Sequence, residues 1–412
     1  MKIWILNHYA IPPSMGGLVR HYYFSKYLQE KGHSVKIFSS SKIHNTKINM
    51  IQGAELYCET KIDEIEYTFI RSKEYKGNGI DRILNMVDFP FKMWKAMKLF
   101  FEKSPPDVIY TSSPDLFVAF FALLFGKRRN IPVVVEIRDL WPESLMAYGT
   151  MSRYNPIAWL LSRLEKWIYI KSDKLIFLME GWHQYFIEQG WETKIDLSKV
   201  SYISNGVDLG EYDYNKGNFQ LEDSDLNDMD SFKVVYMGSI RLVNNLGTLI
   251  DAAKVLKQRG ITNIKILIFG DGTEKDNLEA ECKKHQLDVI FKGRIEKKYI
   301  PYILSVADVN LISVKKSNLG VYGCSWNKLF EYMASGKPII SNAPMAYDLI
   351  KKHQLGIVQS FETPEEYADA ILQTSHMTNE ERAVIAKKGR EIAKEFDYKE
   401  LTEKLNHIFE EI

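Results

Sequence analysis

Continuous apolar strands alternate with helices along this chain, and the alternation halts once and then restarts. In the first half "IWILN", "SVKIFSS", "PDVIYTSS", "IPVVVEIRD", "KLIFLM" and "KVSYISNG" read as strands. "LVRHYYFSKYLQEKG", stopped at Gly32, and the apolar "LFVAFFALLFG" read as helices between them. Strands apolar on both faces and separated by helices belong in a parallel sheet covered on both sides. Residues 210–231, "GEYDYNKGNFQLEDSDLNDMDS", carry seven acids and one lysine and read as a linker or mobile loop. After them come "KVVYMGS", "IKILIFGDG", "VIFKG", "VNLISV" and "GIVQ", again with helices between. At 412 residues, two domains are expected. They are residues 1–205 and 206–395, each Rossmann-like, facing a central cleft. The closing "YKELTEKLNHIFEEI", within 396–412, is an amphipathic helix with Leu401, Leu405, Ile408 and Ile412 on one face.

Composition narrows the partners. The net charge of +1 hides an asymmetry: residues 1–205 hold 27 Lys+Arg against 21 Asp+Glu, and the remainder 27 against 32. A basic first half suits an anionic partner or surface. Cys58, Cys282 and Cys324 form no CxxC pair, which suits a reducing compartment and argues against a zinc site. "MKIWILNHYAIPP" reads as a first strand rather than a signal peptide, and no apolar run approaches the ~20 residues that span a bilayer. "FKMWKAMKLFFEK" (91–103) and "LFVAFFALLFGKRRN" mix basic and aromatic residues. Each is either an amphipathic helix resting on an anionic membrane or a buried helix with ordinary exposed lysines.

Four stretches carry candidate chemistry. In "GCSWNKLFEYMASGKPII" (323–340), Ser325 is placed to cap a helix whose first free amides belong to Trp326, Asn327 and Lys328. Such an end binds phosphate through amides and dipole, and Lys328 adds charge. Glu331 lies on the same face one turn on, where a carboxylate can accept from both hydroxyls of a ribose. The pair fits a nucleoside diphosphate, or is a surface Lys–Glu pair worth about 0.2–0.5 kcal/mol. In "NHYAIPPSMGGLVRH", Gly16 and Gly17 let backbone approach a ligand or form a plain turn, and Arg20 reads as a helix-surface charge. "EIRDLWPES" places Arg138, Asp139, Trp141 and Glu143 directly after a strand, where ligands of open α/β sheets bind. There a tryptophan beside carboxylates suits a sugar ring; otherwise Asp139 caps a helix and Trp141 fills core. In "YMGSIRLVNNLGTL", a strand runs into Gly238, and Arg241 and Asn244 follow. Arg241 forks onto a diphosphate or is a solvated loop arginine. "DSD" and "DMD" (223–225, 228–230) match a metal-binding DxD pattern, but no strand leads into them, so no metal site is expected.

Taken in order, "GGLVRHYYFSKYL", "RDLWPES", "ISNGVD", "GSIRLVNNLGTLIDAA", "FGDGTEKDNL" and "NKLFEYMASGKPII" resemble the family 4 glycosyltransferases over nearly the whole chain. The likeness is to the branch of capsule and O-antigen enzymes that includes N-acetylfucosamine transferases. It implies the GT-B fold, a last helix crossing back to the first domain, a UDP-sugar donor held mainly by the second domain, and neither metal nor other cofactor. By resemblance Glu331 binds the ribose, Asn327 and Lys328 lie near the diphosphate, and Gly16 and Gly17 meet donor phosphates and sugar. Arg294 and Ile295 frame the base. The family's second glutamate is here Gly323; its basic residue after Gly238 is Ser239, and its following lysine is Asn244. Arg241 is the candidate replacement for that charge.

The expected activity is retaining transfer of an N-acetylated (deoxy)hexosamine from a UDP-sugar to a lipid-diphosphate-linked saccharide, in capsule or O-antigen synthesis. The protein would be peripheral on the cytoplasmic face of the membrane, with no nucleic-acid partner. Asp139, Arg241 and Lys328 are the catalytic candidates. A UDP-sugar 2-epimerase of the same double-Rossmann shape and a non-catalytic nucleotide-sugar-binding subunit are the alternatives.

Overall fold

A computed structural model describes residues 1–44, 46–75, 79–113 and 116–412, with Ile80 as backbone only. The chain forms two compact units, Met1–Ser204 with Tyr398–Ile412, and Asn205–Asp397.

Unit 1 holds β1 (Lys2–Leu6), β2 (Ser34–Ser40), β3 (Tyr57–Ile62), β4 (Ile65–Ile70), β5 (Val108–Ser112), β6 (Val133–Ile137), β7 (Lys174–Phe177) and β8 (Val200–Tyr202) in one sheet. Their order is β3-β4-β2-β1-β5-β6-β7-β8. Only β3, paired antiparallel to β4, breaks the parallel run among the described strands. The helices are α1 (Arg20–Glu30), α2 (Ile80–Lys103), α3 (Leu116–Arg129), α4 (Glu143–Ala147), α5 (Pro156–Lys171) and α6 (Trp182–Glu188). The order reverses between β1 and β5, and Asn7 ties the two strand ends together. Its Nδ2 donates to the carbonyl of Ser112 at 3.2 Å, and its Oδ1 accepts from the Tyr9 amide at 2.7 Å.

Arg20 is not a surface charge. It is 1% exposed, and its Nε donates to Glu136 Oε2 at 2.8 Å. Its terminal nitrogens hold the carbonyls of Ile203 and Ser204. Ser112 Oγ donates to the other Glu136 oxygen at 2.7 Å, and the Tyr110 hydroxyl also donates to this carboxylate. Burial pushes the Glu136 carboxyl up, but Arg20 and His21 overcome that and hold it well below the usual range. Removing one partner of a buried pair strands the other, at about 3–5 kcal/mol. Arg20→Ala is therefore expected to lower the first unfolding transition in calorimetry, and an unchanged transition would show that the pair is not structural.

Unit 2 holds β9 (Phe232–Met237), β10 (Ile264–Phe269), β11 (Val289–Gly293), β12 (Val309–Ile312), β13 (Ile339–Ser341) and β14 (Gly356–Val358). They are ordered β11-β10-β9-β12-β13-β14, and each described neighbour pair is parallel. Its helices are α7 (Leu209–Asn218), α8 (Gly247–Gln258), α9 (Lys275–Lys284), α10 (Ile300–Val306), α11 (Asn327–Ser335), α12 (Leu349–His353), α13 (Pro364–Ser375) and α14 (Asn379–Glu395). The two-residue period of a strand splits β9 between two cores: Val235 and Met237 join one, Val234 and Tyr236 the other. The chain then returns to unit 1 as α15 (Tyr398–Glu410), where Leu401, Leu405, Ile408 and Phe409 are buried in the unit 1 core. Ile412 was expected on that face but is 40% exposed; α15 ends before it, and Phe409 fills the place.

The acidic stretch is not a loose linker. Asp208 caps α7 through the Glu211 amide at 2.8 Å, and Leu209, Tyr212 and Leu226 are buried. Lysines on adjacent strands neutralise the acids beyond the helix. Lys292 binds Asp223 and Asp225, each at 2.6 Å, and Lys265 binds Asp228 at 2.7 Å. Three of the four DxD carboxylates, those of Asp223, Asp225 and Asp228, are thus paired with ammonium groups.

Candidate functional site

The order of the unit 2 sheet reverses between β9 and β12, so these strand ends open a crevice where α/β sheets bind ligands. Tyr332, on the nine-residue α11, is wedged there. Its hydroxyl accepts from the Met237 amide at 3.2 Å and donates to the Leu311 carbonyl at 3.2 Å. One buried phenol thus fixes α11 against both strand ends, and sequence reading missed it because it looks like ordinary core.

The start of α11 corrects the expected cap. Trp326 occupies the capping position with no side-chain hydrogen bond. Ser325 Oγ instead accepts from the Asn205 amide at 2.7 Å, and the Ser325 carbonyl accepts from Asn205 Nδ2 at 2.6 Å. Among the described residues no side chain therefore caps the start of α11, and Asn327 stands exposed there.

Lys328 lies in the first turn. Its Nζ is sealed from water and has no hydrogen-bond partner among the described residues. The ammonium sits 4.3 Å from the centroid of the Tyr236 ring. Burial lowers its pKa to about 8. A Cβ on Gly238 would meet that Nζ at 2.8 Å, so the glycine at the end of β9 and the lysine on α11 converge. Gly238 itself has φ 154°. Its carbonyl oxygen would lie 1.7 Å from a Cβ on Gly270, which accounts for the first glycine of "FGDG".

Glu331 is one turn further on and half-buried. Burial raises its carboxyl above the usual range; Lys297 pulls it down and Glu211 pushes it up. Among the described residues it has no hydrogen bond and no ion pair within 4 Å. The Lys–Glu surface pair is therefore not what forms: two charged groups on one helix face stand without partners.

The remaining unit 2 candidates ring this point. Ser239 Oγ donates to Asn244 Oδ1 at 2.8 Å, and the Tyr236 hydroxyl donates to the Ser239 carbonyl at 2.8 Å, which closes the loop after β9. Arg241 is half-buried at the start of that loop's 3-10 turn, Leu242–Asn244. Arg294, exposed, and Ile295, half-buried, follow β11, two strands from β9 and so about 10 Å away. Gly323 has φ 81° and ψ 173°, a conformation open to glycine and closed to a glutamate.

In unit 1, Gly16 has φ 153°, and a Cβ there would meet Ile11 Cδ1 at 2.9 Å. Gly17 has nothing within 4 Å of its Cβ position. The Arg138 amide donates to Ser113 Oγ at 2.8 Å. Asp139 is exposed and caps no helix; the protein around it pushes its carboxyl up, and Arg138 opposes this. Trp141 is half-buried. Glu143 is buried and paired with Arg153, so its carboxylate is already committed.

Two family models match the chain: Glycosyltransferase Family 4 over residues 15–211 and Glycosyl transferases group 1 over residues 219–392. Among solved structures, sucrose-phosphate synthase from Thermosynechococcus elongatus is similar, with TM-score 0.75 and 17% identity over 100% of this chain and 98% of that one. HepE from Anabaena in complex with UDP gives 0.69 and 16%, over 100% of both chains. WaaG, a glycosyltransferase involved in lipopolysaccharide biosynthesis, gives 0.65 and 13%, over 99% of both. At these identities the likeness speaks for the fold alone. No curated protein matches the sequence.

Proposed function

We propose, from the premise that this chain belongs to the family 4 glycosyltransferases with the GT-B fold, that it transfers an N-acetylated (deoxy)hexosamine from UDP to a lipid-diphosphate-linked saccharide, with retention and without a metal. The observation that carries the donor half is the sealed, partnerless ammonium of Lys328 one turn from the partnerless carboxylate of Glu331. Among the described residues no hydrogen bond or ion pair satisfies either charge: Lys328 has only the Tyr236 ring, and Glu331 only the longer-range pull of Lys297. A diphosphate at the uncapped start of α11 satisfies the first, and the ribose hydroxyls satisfy the second. HepE was solved with UDP and with UDP-glucose, which supports this donor class.

Leaving-group departure places charge on the diphosphate. Lys328, Arg241 and the first amides of α11 stabilise it, and the departing phosphate oxygen accepts the acceptor's proton on the same face. Asp139 is assigned to the acceptor side, with Arg138 and Trp141 beside it in the chain. Gly16 and Gly17 are assigned to donor phosphates. No helix among the described residues is long and apolar enough to cross a membrane. Membrane contact is accordingly assigned to helix surfaces of unit 1, whose excess of basic residues suits the cytoplasmic leaflet.

Purified protein with a panel of UDP-sugars, with and without a lipid-diphosphate acceptor, tests this. The expected result is transfer only when acceptor is present, with the anomeric configuration kept and activity undiminished by EDTA. Turnover of UDP-sugar without acceptor would indicate an epimerase, and binding without any turnover a non-catalytic subunit.

A further inference from the structure

Helix α5 is apolar on both sides: Ala158, Leu161, Ile168 and Tyr169 are buried, and large apolar side chains also face outward. The one acid on its buried face, Glu165, accepts from the Tyr169 hydroxyl at 2.7 Å and from Tyr185 at 2.9 Å. Its solvent face carries Trp159, Leu160, Arg163, Trp167 and Ile170. Trp159 is 59% exposed, Leu160 61% and Ile157 56%. An ordinary surface helix keeps its outer face polar.

The apolar surface continues onto neighbouring helices. Trp167 packs on Phe120 of α3 at 5.3 Å, Phe120 on Phe121 at 5.6 Å, and Phe121 on Phe91 of α2 at 4.8 Å. Phe91 is itself 55% exposed. Cations sit on this aromatic strip. Arg163 lies 4.3 Å over Trp159, Lys166 5.9 Å from Trp191, and Arg128 5.1 Å over Trp94. A groove of about 380 Å³ runs beside α5 between Trp159, Arg163, Lys166, Trp167, Ile170 and Trp191, and no carboxylate lines it. Neither Arg163 nor Lys166 forms an ion pair among the described residues.

We propose that this outer face of α5, extended by α3 and α2, docks on an anionic phospholipid surface. Arg163 and Lys166 take lipid phosphates in the groove, and Trp159, Leu160 and Ile157 enter the acyl boundary. An exposed tryptophan, Trp159, bordered by cations without an ion pair matches the interfacial zone of a bilayer, where an indole keeps its N–H in the headgroups and its ring in hydrocarbon. The strip spreads over three helices instead of closing into a pocket, which fits a plane of lipid. This deepens the proposed membrane partner of the transferase and rests on that reading for its biological purpose, but not for its physics.

Co-sedimentation with phosphatidylcholine vesicles, with and without phosphatidylglycerol, tests it, with UDP affinity read by calorimetry on the same samples. The wild-type protein is expected to partition at least about tenfold better onto the anionic vesicles, and to be released by salt. The double variant Trp159→Ser/Leu160→Ser should lose at least about tenfold in partition. Arg163→Gln/Lys166→Gln should lose the preference for phosphatidylglycerol. Both should bind UDP as wild type does, which shows that they fold and separates this result from the fate of the donor site. Absence of vesicle binding, or partition unchanged in both variants, overturns the proposal. So does a wild-type dimer in sedimentation velocity that the tryptophan–leucine variant turns into a monomer, since a second copy would then cover the face.

Discussion

Replacing Lys328 by methionine should make the ligand-free protein more stable and the enzyme about 10²–10³-fold slower in kcat/KM. The two effects have one cause. The Lys328 ammonium is buried with no hydrogen-bond partner among the described residues, and burial lowers its pKa to about 8. Since an unfolded chain restores the ordinary value near 10.5, the folded protein bears a cost of roughly 3 kcal/mol at neutral pH. The unfolded state binds the extra proton between those values, so this cost shrinks as pH rises from about 8 toward 10.5. Methionine keeps the length and drops the charge, which removes the cost and with it the cation for the leaving diphosphate. The same reasoning fixes the pH dependence of donor binding. An anion favours the protonated lysine, so UDP should bind about tenfold more weakly at pH 9 than at pH 7, with proton uptake on binding above pH 8. In Lys328→Met that dependence should vanish. A ligand-free melting temperature that falls, or a UDP affinity with an unchanged pH profile, would show that Lys328 has a structural partner.

Glu331→Ala should weaken UDP about 100-fold, the worth of two charge-assisted hydrogen bonds from ribose hydroxyls. The ligand-free protein should again lose no stability, because the carboxylate makes no bond that alanine breaks and burial already raises its pKa. Ribose donors favour the ionised form, so wild-type affinity should fall as pH drops through that raised range. Calorimetry with UDP and with 2′,3′-dideoxy-UDP checks the assignment. The dideoxy compound should bind wild type and Glu331→Ala alike, and a difference between them would detach Glu331 from the ribose.

Both charges were legible in the sequence because helical spacing is local. Residues 328 and 331 share a face in any helix that includes them. The two-sheet architecture was legible for a similar reason, since apolar strands alternating with helices leave few arrangements. What escaped depends on partners far along the chain. Ser325 has the right chemistry for a cap, but Asn205, 120 residues away, takes its hydroxyl. Arg20 looked like a surface charge because Glu136 lies 116 residues on. The acids at 223, 225 and 228 looked solvated because their lysines sit on β10 and β11. The β3–β4 hairpin turns at Asp63 and Glu64, both at positive φ, and glutamate is not a residue that announces such a turn. The outer face of α5 escaped for the converse reason. A helix apolar on both sides looks, in sequence, like one buried all round, and only the fold shows which side is left uncovered.

The most direct measurement is a crystal structure of the protein with UDP. The ribose should place both hydroxyls within about 3 Å of the Glu331 carboxylate, with the diphosphate between Lys328 Nζ and the first amides of α11. A UDP molecule whose ribose lies away from Glu331, or whose phosphates leave Lys328 as isolated as before, would contradict the assignment of this site.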